Sequence, residues 1–320
     1  MSRQITYSPA YTLVPTYECF NRCDYCNFRV DPNQDQWMTL ATARDKLQSL
    51  QNQGISEILI LSGEVHPRSP RRKAWFDHIY QLCELSLSLG FLPHSNVGPL
   101  SFAEMEKLKK VNVSMGLMVE QITPKLLATV HHNAPSKIPE LRLQQLAWAG
   151  ELKIPFTTGI LLGIGETEQE RWESLKAIAE IQQNYGHIQE IILQPHSLGQ
   201  KQTFQGSGFS MDQFPQIIAI AREIIPSSIT LQIPPNLIPD DQCLLDCLDA
   251  GARDLGGIGP IDEVNPDYAH FHHQKLVNIL KKNNWELVPR LPIYPPYYHW
   301  LSDQLLIKVE ECLEKRPQKL

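Results

Sequence analysis

The chain has 320 residues, 42% of them hydrophobic and 20% charged, with a formal net charge of −6. That is enough apolar material for a large buried core, and the acidic balance gives no hint of a nucleic-acid partner. No apolar stretch reaches the roughly 20 residues of a membrane span, and Met1 to Pro9 lacks the apolar centre of a secretion signal. Short apolar runs predict strands at 11–16, 55–61, 91–95, 111–118, 156–162, 188–194, 229–233 and 252–255. Amphipathic stretches between them predict helices at 40–53, 74–89, 102–110, 140–151, 168–185, 211–225 and 241–249. The basic cluster Arg68 to Lys73 reads as a solvated helix start. Strand–helix alternation argues a parallel sheet with right-handed crossovers, and eight steps predict a closed α/β barrel of the TIM (β/α)8 type. A partial six-unit barrel is the alternative. The barrel core is assigned to residues 1–269. Residues 270–320 form an extension: a helix, a proline–tyrosine run and a last helix at 301–313.

The chemistry concentrates in Cys19-Phe20-Asn21-Arg22-Cys23-Asp24-Tyr25-Cys26, three thiols at C-x3-C-x2-C spacing with Tyr25 before the last. A loop of this length can wrap one corner of an iron–sulfur cube. Electron-transfer clusters normally take four cysteines, so three would leave one iron open to a ligand. Structural zinc, with a remote histidine as fourth ligand, and plain buried thiols are the competing readings. Seven cysteines, an odd number with three clustered, suit a reducing, cytoplasmic setting better than a disulfide framework.

Two downstream turns add to the picture. Leu61-Ser62-Gly63-Glu64 ends a predicted strand with backbone carbonyls and a carboxylate suited to an ammonium group. Gly159-Ile160-Leu161-Leu162-Gly163-Ile164-Gly165-Glu166 opens an apolar strand into glycines that admit a flat ring close to the backbone. Glu166 has a second reading as a helix N-terminal acid. On a parallel barrel the cysteine loop, Gly63-Glu64, Glu120 and Gly163 to Glu166 all fall at the C-terminal ends of strands, where such barrels do their chemistry.

In this order the motifs resemble those of the radical S-adenosylmethionine (SAM) enzymes. The resemblance implies one 4Fe–4S cluster on Cys19, Cys23 and Cys26, whose open iron binds the methionine end of SAM. Tyr25 would stand beside the cofactor, Gly63 and Glu64 would take its amino group, and Gly163 and Glu166 would lie beside adenine. Ser62 stands where many members have another glycine. Arg142 would hold the SAM carboxylate with its planar fork, or serve as an ion-pair arginine. Glu120 would bind the ribose or methionine end, or act as a structural acid. His131-His132 reads as a structural pair, and Cys83, Cys243 and Cys247 as apolar packing.

A narrower resemblance covers nearly the whole chain. Val14 to Cys23, Asn27-Phe28-Arg29, His131 to Lys137, Gln232 to Leu237, Gly251 to Pro266 and Arg290 to Pro295 are similar to the deazaflavin-forming branch of that superfamily. This resemblance implies a radical SAM lyase. It would convert 5-amino-5-(4-hydroxybenzyl)-6-(D-ribitylimino)-5,6-dihydrouracil into a tricyclic deazaflavin, releasing ammonium, 5′-deoxyadenosine and methionine. A CofH-type partner enzyme would supply that adduct, and ferredoxin or flavodoxin the electron. Asp254, Asp262 and Asn265 are candidates for ribityl hydroxyls or uracil edges, or are turn and cap residues. Tyr17, Tyr25 and His66 are candidate proton relays. A CofH-like or biotin-synthase-like enzyme and a non-catalytic iron–sulfur carrier are the rival readings.

Overall fold

A computed structural model describes residues 3–261, 263 and 273–315. Strand β1 runs Arg3–Leu13, followed by α1 (Leu40–Leu50), β2 (Glu57–Leu61), α2 (Arg72–Ser88), β3 (Leu92–Asn96) and α3 (Phe102–Leu108). Next come β4 (Ser114–Gly116), α4 (Pro139–Glu151), β5 (Phe156–Leu162), α5 (Glu168–Tyr185), β6 (Ile188–Pro195) and α6 (Phe214–Ile224). The chain closes with β7 (Thr230–Gln232), α7 (Asp241–Asp249), β8 (Asp254–Ile258), α8 (His273–Lys282), β9 (Trp285–Pro289) and α9 (Asp303–Glu314). The strands follow in order from β2 to β8, then β1, and β1 returns to β2, so eight parallel strands close into a full barrel. The six-unit alternative is set aside by that closure.

Local sequence explains the helix limits. Thr167 and Glu170 form a reciprocal capping box at the start of α5, and Gly186, at φ 68°, ends it in the left-handed conformation. Ser101 and Glu104 cap α3 in the same way. Among the described residues no helix is long and apolar enough to cross a membrane.

Two features depart from the sequence-based expectation. The first strand begins at Arg3 rather than Tyr11, because Arg3–Tyr7 pairs in parallel with β9 while Ala10–Leu13 pairs with β2. The C-terminal segment therefore supplies a strand as well as helices. It also covers the base of the barrel: Leu291, Ile293, Tyr297, Leu305 and Val309 bury themselves against Leu92 and Val113, low on β3 and just before β4. The basic cluster is not simply solvated either. Arg72 donates to Glu104 and to the Val65 and Pro99 carbonyls, and Arg71 pairs with buried Glu18.

Candidate active site

The cysteine loop leaves the top of β1 and is held by backbone bonds to three neighbours. Phe20 N donates to Glu64 O at 3.0 Å, Arg22 N to Asn133 O at 2.8 Å, and Asp24 N to Val130 O at 3.0 Å. The fit against the end of β2 depends on Gly63, where a Cβ would lie 2.0 Å from Glu18 O. The Ser62 hydroxyl donates to Gly63 O at 2.9 Å and accepts from Trp75 Nε1 at 3.0 Å, so the extra side chain binds inward.

Cys19, Cys23 and Cys26 line one chamber of about 250 Å³ together with Tyr25, Gly63, Glu64, Glu120 and Arg142. Burial pushes the Cys19 thiol up to about 11 and the Cys23 thiol up to about 12, with neighbouring acids or thiols adding to the effect. Thiols so placed stay protonated unless a metal takes the proton's place. Three convergent soft donors, without a fourth cysteine on the same chamber, fit a metal–sulfur group with one open position.

Beside the thiols stand two buried ion pairs. Arg142 donates to Glu64 Oε1 at 3.0 Å, to Ser136 O at 2.8 Å and to Met118 O at 3.2 Å. Asn21 donates to the other Glu64 oxygen at 2.9 Å. Burial raises the Glu64 carboxyl, but Arg142, Lys137 and hydrogen bonds from Ser136 and Asn21 outweigh it and hold the group low. Lys137 Nζ donates to Glu120 Oε1 at 2.6 Å, and Glu120 sits at φ 65°, a strained conformation for a residue with a Cβ. Burial works against the Lys137 charge, as does Arg142, yet Glu120, Cys23 and Glu64 keep its net shift upward. The chamber is thus lined by the carboxylates of Glu64 and Glu120, the Lys137 ammonium and the Arg142 guanidinium, all held by hydrogen bonds. A zwitterion of the amino-acid type has partners for both of its ends here.

Not every expected residue faces this chamber. Gly163 and Glu166 lie outside its lining; Glu166 accepts from Gly163 N at 2.7 Å, Ile164 N at 2.9 Å and Arg171 Nε at 2.7 Å, holding the turn in shape. Leu161 is the part of that strand exposed to the space. His131 meets Tyr25 Oη at 2.9 Å, and burial with the Lys137 and Arg142 charges pushes it down to about 3, so the ring is neutral. Cys247 is buried in the core, and Cys243 packs partly buried beside it. Asp254 is fully buried and bound by Arg290, Thr6 and Gly256 N, while Asp262 and Asn265 lie outside the described residues. Sequence reasoning passed over Lys137, Asn21 and Gly98. The last leaves room for Glu64, whose Cγ would stand 2.3 Å from a Cβ there. Val97-Gly98-Pro99 at the end of a predicted strand was the available signal.

A closed parallel barrel with three thiols on its C-terminal rim defines a class, and residues 13–178 match the Radical SAM superfamily. The chain belongs to that superfamily, which implies SAM and a 4Fe–4S cluster. Within it, the chain belongs to the family of the 7,8-didemethyl-8-hydroxy-5-deazariboflavin synthases. It is 64% identical to the protein so named from Trichormus variabilis over 97% of this chain and 91% of the relative. It is 63% identical to the one from Synechocystis sp. over 94% and 96%. Among solved structures, the FeFe-hydrogenase maturase HydG from Carboxydothermus hydrogenoformans shares the fold at TM-score 0.75 and 17% identity, covering 98% of this chain and 78% of that one. Methylornithine synthase follows at TM-score 0.67 and 14% identity, over 89% and 84%.

Proposed function

We propose that this chain forms 7,8-didemethyl-8-hydroxy-5-deazariboflavin from 5-amino-5-(4-hydroxybenzyl)-6-(D-ribitylimino)-5,6-dihydrouracil, releasing ammonium. The observation that carries the reading is identity above 60% to named synthases over nearly the whole chain, including the barrel rim. When bound, the cluster on Cys19, Cys23 and Cys26 together with SAM supplies the 5′-deoxyadenosyl radical that such a ring closure needs.

The protein's own residues bind, orient and exclude water. Glu64, fixed by Arg142 and Asn21, accepts from the ammonium of SAM. Lys137, already beside Glu120, is the cation at hand for its carboxylate, and Arg142 acts on Glu64 rather than on the cofactor directly. Tyr25, held by His131 at 2.9 Å, forms part of the wall of the thiol chamber. The substrate lies in the adjoining barrel chamber of about 330 Å³, whose lining shares Asn96, Leu117, Met118, Gln194 and Leu237 with the cysteine chamber. The side chains at that boundary would stand between a bound cofactor and the substrate and would limit water there. A CofH-type enzyme delivers the adduct, and ferredoxin or flavodoxin the electron, in the reducing cytoplasm that free thiols require.

Anaerobic reconstitution with iron and sulfide, then reduction with SAM and the adduct present, is expected to yield a fluorescent deazaflavin and 5′-deoxyadenosine together. Cleavage of SAM without deazaflavin would overturn the assignment.

A further inference from the structure

The lower half of the barrel chamber has an unusual polarity. Its floor is closed by Arg290 and Pro292, and its walls carry Glu57, His94, Thr157 and Glu190. The hydrogen bonds fix the protonation of His94. Ser114 Oγ donates to Pro292 O at 2.6 Å, and a carbonyl can only accept, so that bond uses the hydroxyl's one proton. His94 Nδ1 lies 2.7 Å from the same oxygen and is therefore the donor. Burial, with the Arg290 charge, pushes His94 down to about 3, so the ring is neutral and Nε2 carries a bare lone pair.

No described residue partners that nitrogen, and the residue is 7% exposed. It reaches this position because residue 116 is glycine, where a Cβ would lie 2.8 Å from Nε2. Around it stand Glu57 and Glu190, the latter already accepting from Thr157 Oγ1 at 3.0 Å and from Tyr294 Oη at 3.0 Å. Arg290, the one arginine or lysine lining the chamber among the described residues, is bound to Asp254 at 2.6 and 2.9 Å and to Glu190. Burial raises both Glu57 and Glu190, with Asp254 adding to the rise and Arg290 opposing it.

A ligand for this floor must bring several hydrogen-bond donors and no negative charge. Phosphates and carboxylates find no free cation there, because Arg290 is already taken by Asp254 and Glu190. A metal ion is not served at this floor, where Glu57, His94 and Glu190 form no group of three that could hold one. A chain of hydroxyl groups meets every requirement. We propose that the lower half of the chamber is a polyol subsite, where His94 Nε2, Glu57 and Glu190 accept from the hydroxyls of the substrate's ribityl chain. The inference rests on the reaction proposed above. Glu190 lies four residues below Gln194 on β6, about 13 Å at the rise of an extended strand. That depth leaves the amides of Asn96, Gln194 and Gln232 for the ring edges above, with the tail below.

The test uses reconstituted holoenzyme with SAM and two fluorescent ligands: the ribityl-bearing deazaflavin and the same ring carrying a methyl group instead. Fluorescence titration is expected to show the wild type preferring the ribityl compound by roughly tenfold or more. His94→Phe should bring the two to within about twofold of each other while the methyl compound binds as before. Glu57→Gln, which keeps the side-chain shape, should reduce the preference in the same direction and serves if His94→Phe does not fold. Equal binding of both ligands by the wild type, or equal weakening of both by the variants, would overturn the subsite. Turnover of the adduct is read separately, so a wild type that discriminates between the ligands but makes no deazaflavin sinks the reaction and leaves the pocket standing.

Discussion

Arg142 shows how a side chain near a reaction centre can act through another. Each of its guanidinium nitrogens is already engaged, Nε by Ser136 O, Nη1 by Met118 O and Nη2 by Glu64 and Ser136 Oγ, and the residue is 2% exposed. Replacing it by Met would leave Glu64 buried with Asn21 as its main donor and no paired cation. Removing one partner of a buried pair costs about 3–5 kcal/mol, which a urea titration would register as a lower midpoint. Arg142→Lys should recover part of the stability but not the affinity for SAM, because one ammonium cannot reach Glu64, Ser136 and Met118 together. Sequence reasoning found this arginine and its neighbourhood. What it could not supply was the direction of the fork, which depends on residues distant in sequence. The same applies to Lys137, which stands in a segment noted for resemblance but has no local pattern that marks it. The cysteines differ: their spacing is a local pattern that letters alone display, and it marks the three thiols that line one chamber.

Among the elements, those with strong periodicity were legible. Strand β5 and helices α5 and α7 have the limits expected from apolar runs and caps. Strand β9 was not, because Trp285–Pro289 is short, carries Glu286 and ends in proline, which argues against a strand unless it lies at an edge. Arg3–Tyr7 was missed for the matching reason: it is mostly polar and becomes a strand only because β9 lies beside it. The junction at the top of β2 is the tightest local fit. Gly63→Ala must push the cysteine loop off the strand end, since a 2.0 Å approach to Glu18 O is backbone against side chain with nothing flexible to yield. The expected result is protein that folds with reduced iron content after reconstitution, measured by metal analysis and by the visible absorption of the cluster.

At the scale of the whole molecule, the C-terminal segment and the barrel are one structure. Residues 1–269 were assigned as the core by their motifs, but β9 pairs with β1 and Arg290 holds Asp254 and Glu190 from beneath. A chain ended at residue 269 is therefore expected to aggregate or to melt without a cooperative transition, by calorimetry, for want of a counter-charge in its floor. Acid sensitivity belongs to this scale too. Burial pushes His187 down to about 4, so between there and the ordinary histidine range near 6.5 the unfolded chain takes up a proton that the folded one refuses. Stability from this group is complete above about pH 6.5 and is lost as pH falls toward 4. His187→Leu should flatten the fall in melting temperature between pH 7 and 5 relative to the wild type.

The stopper made by Arg290 to Tyr294 has one more result. Ser114 and Gln189 donate to Pro292 O at 2.6 and 2.9 Å, and Gln189 accepts from Tyr294 N at 3.2 Å, so β4 and β6 both bolt this end of the cylinder. Traffic is left with the opposite mouth, where the thiols stand. Whatever occupies that doorway stands between the vault behind it and the outside.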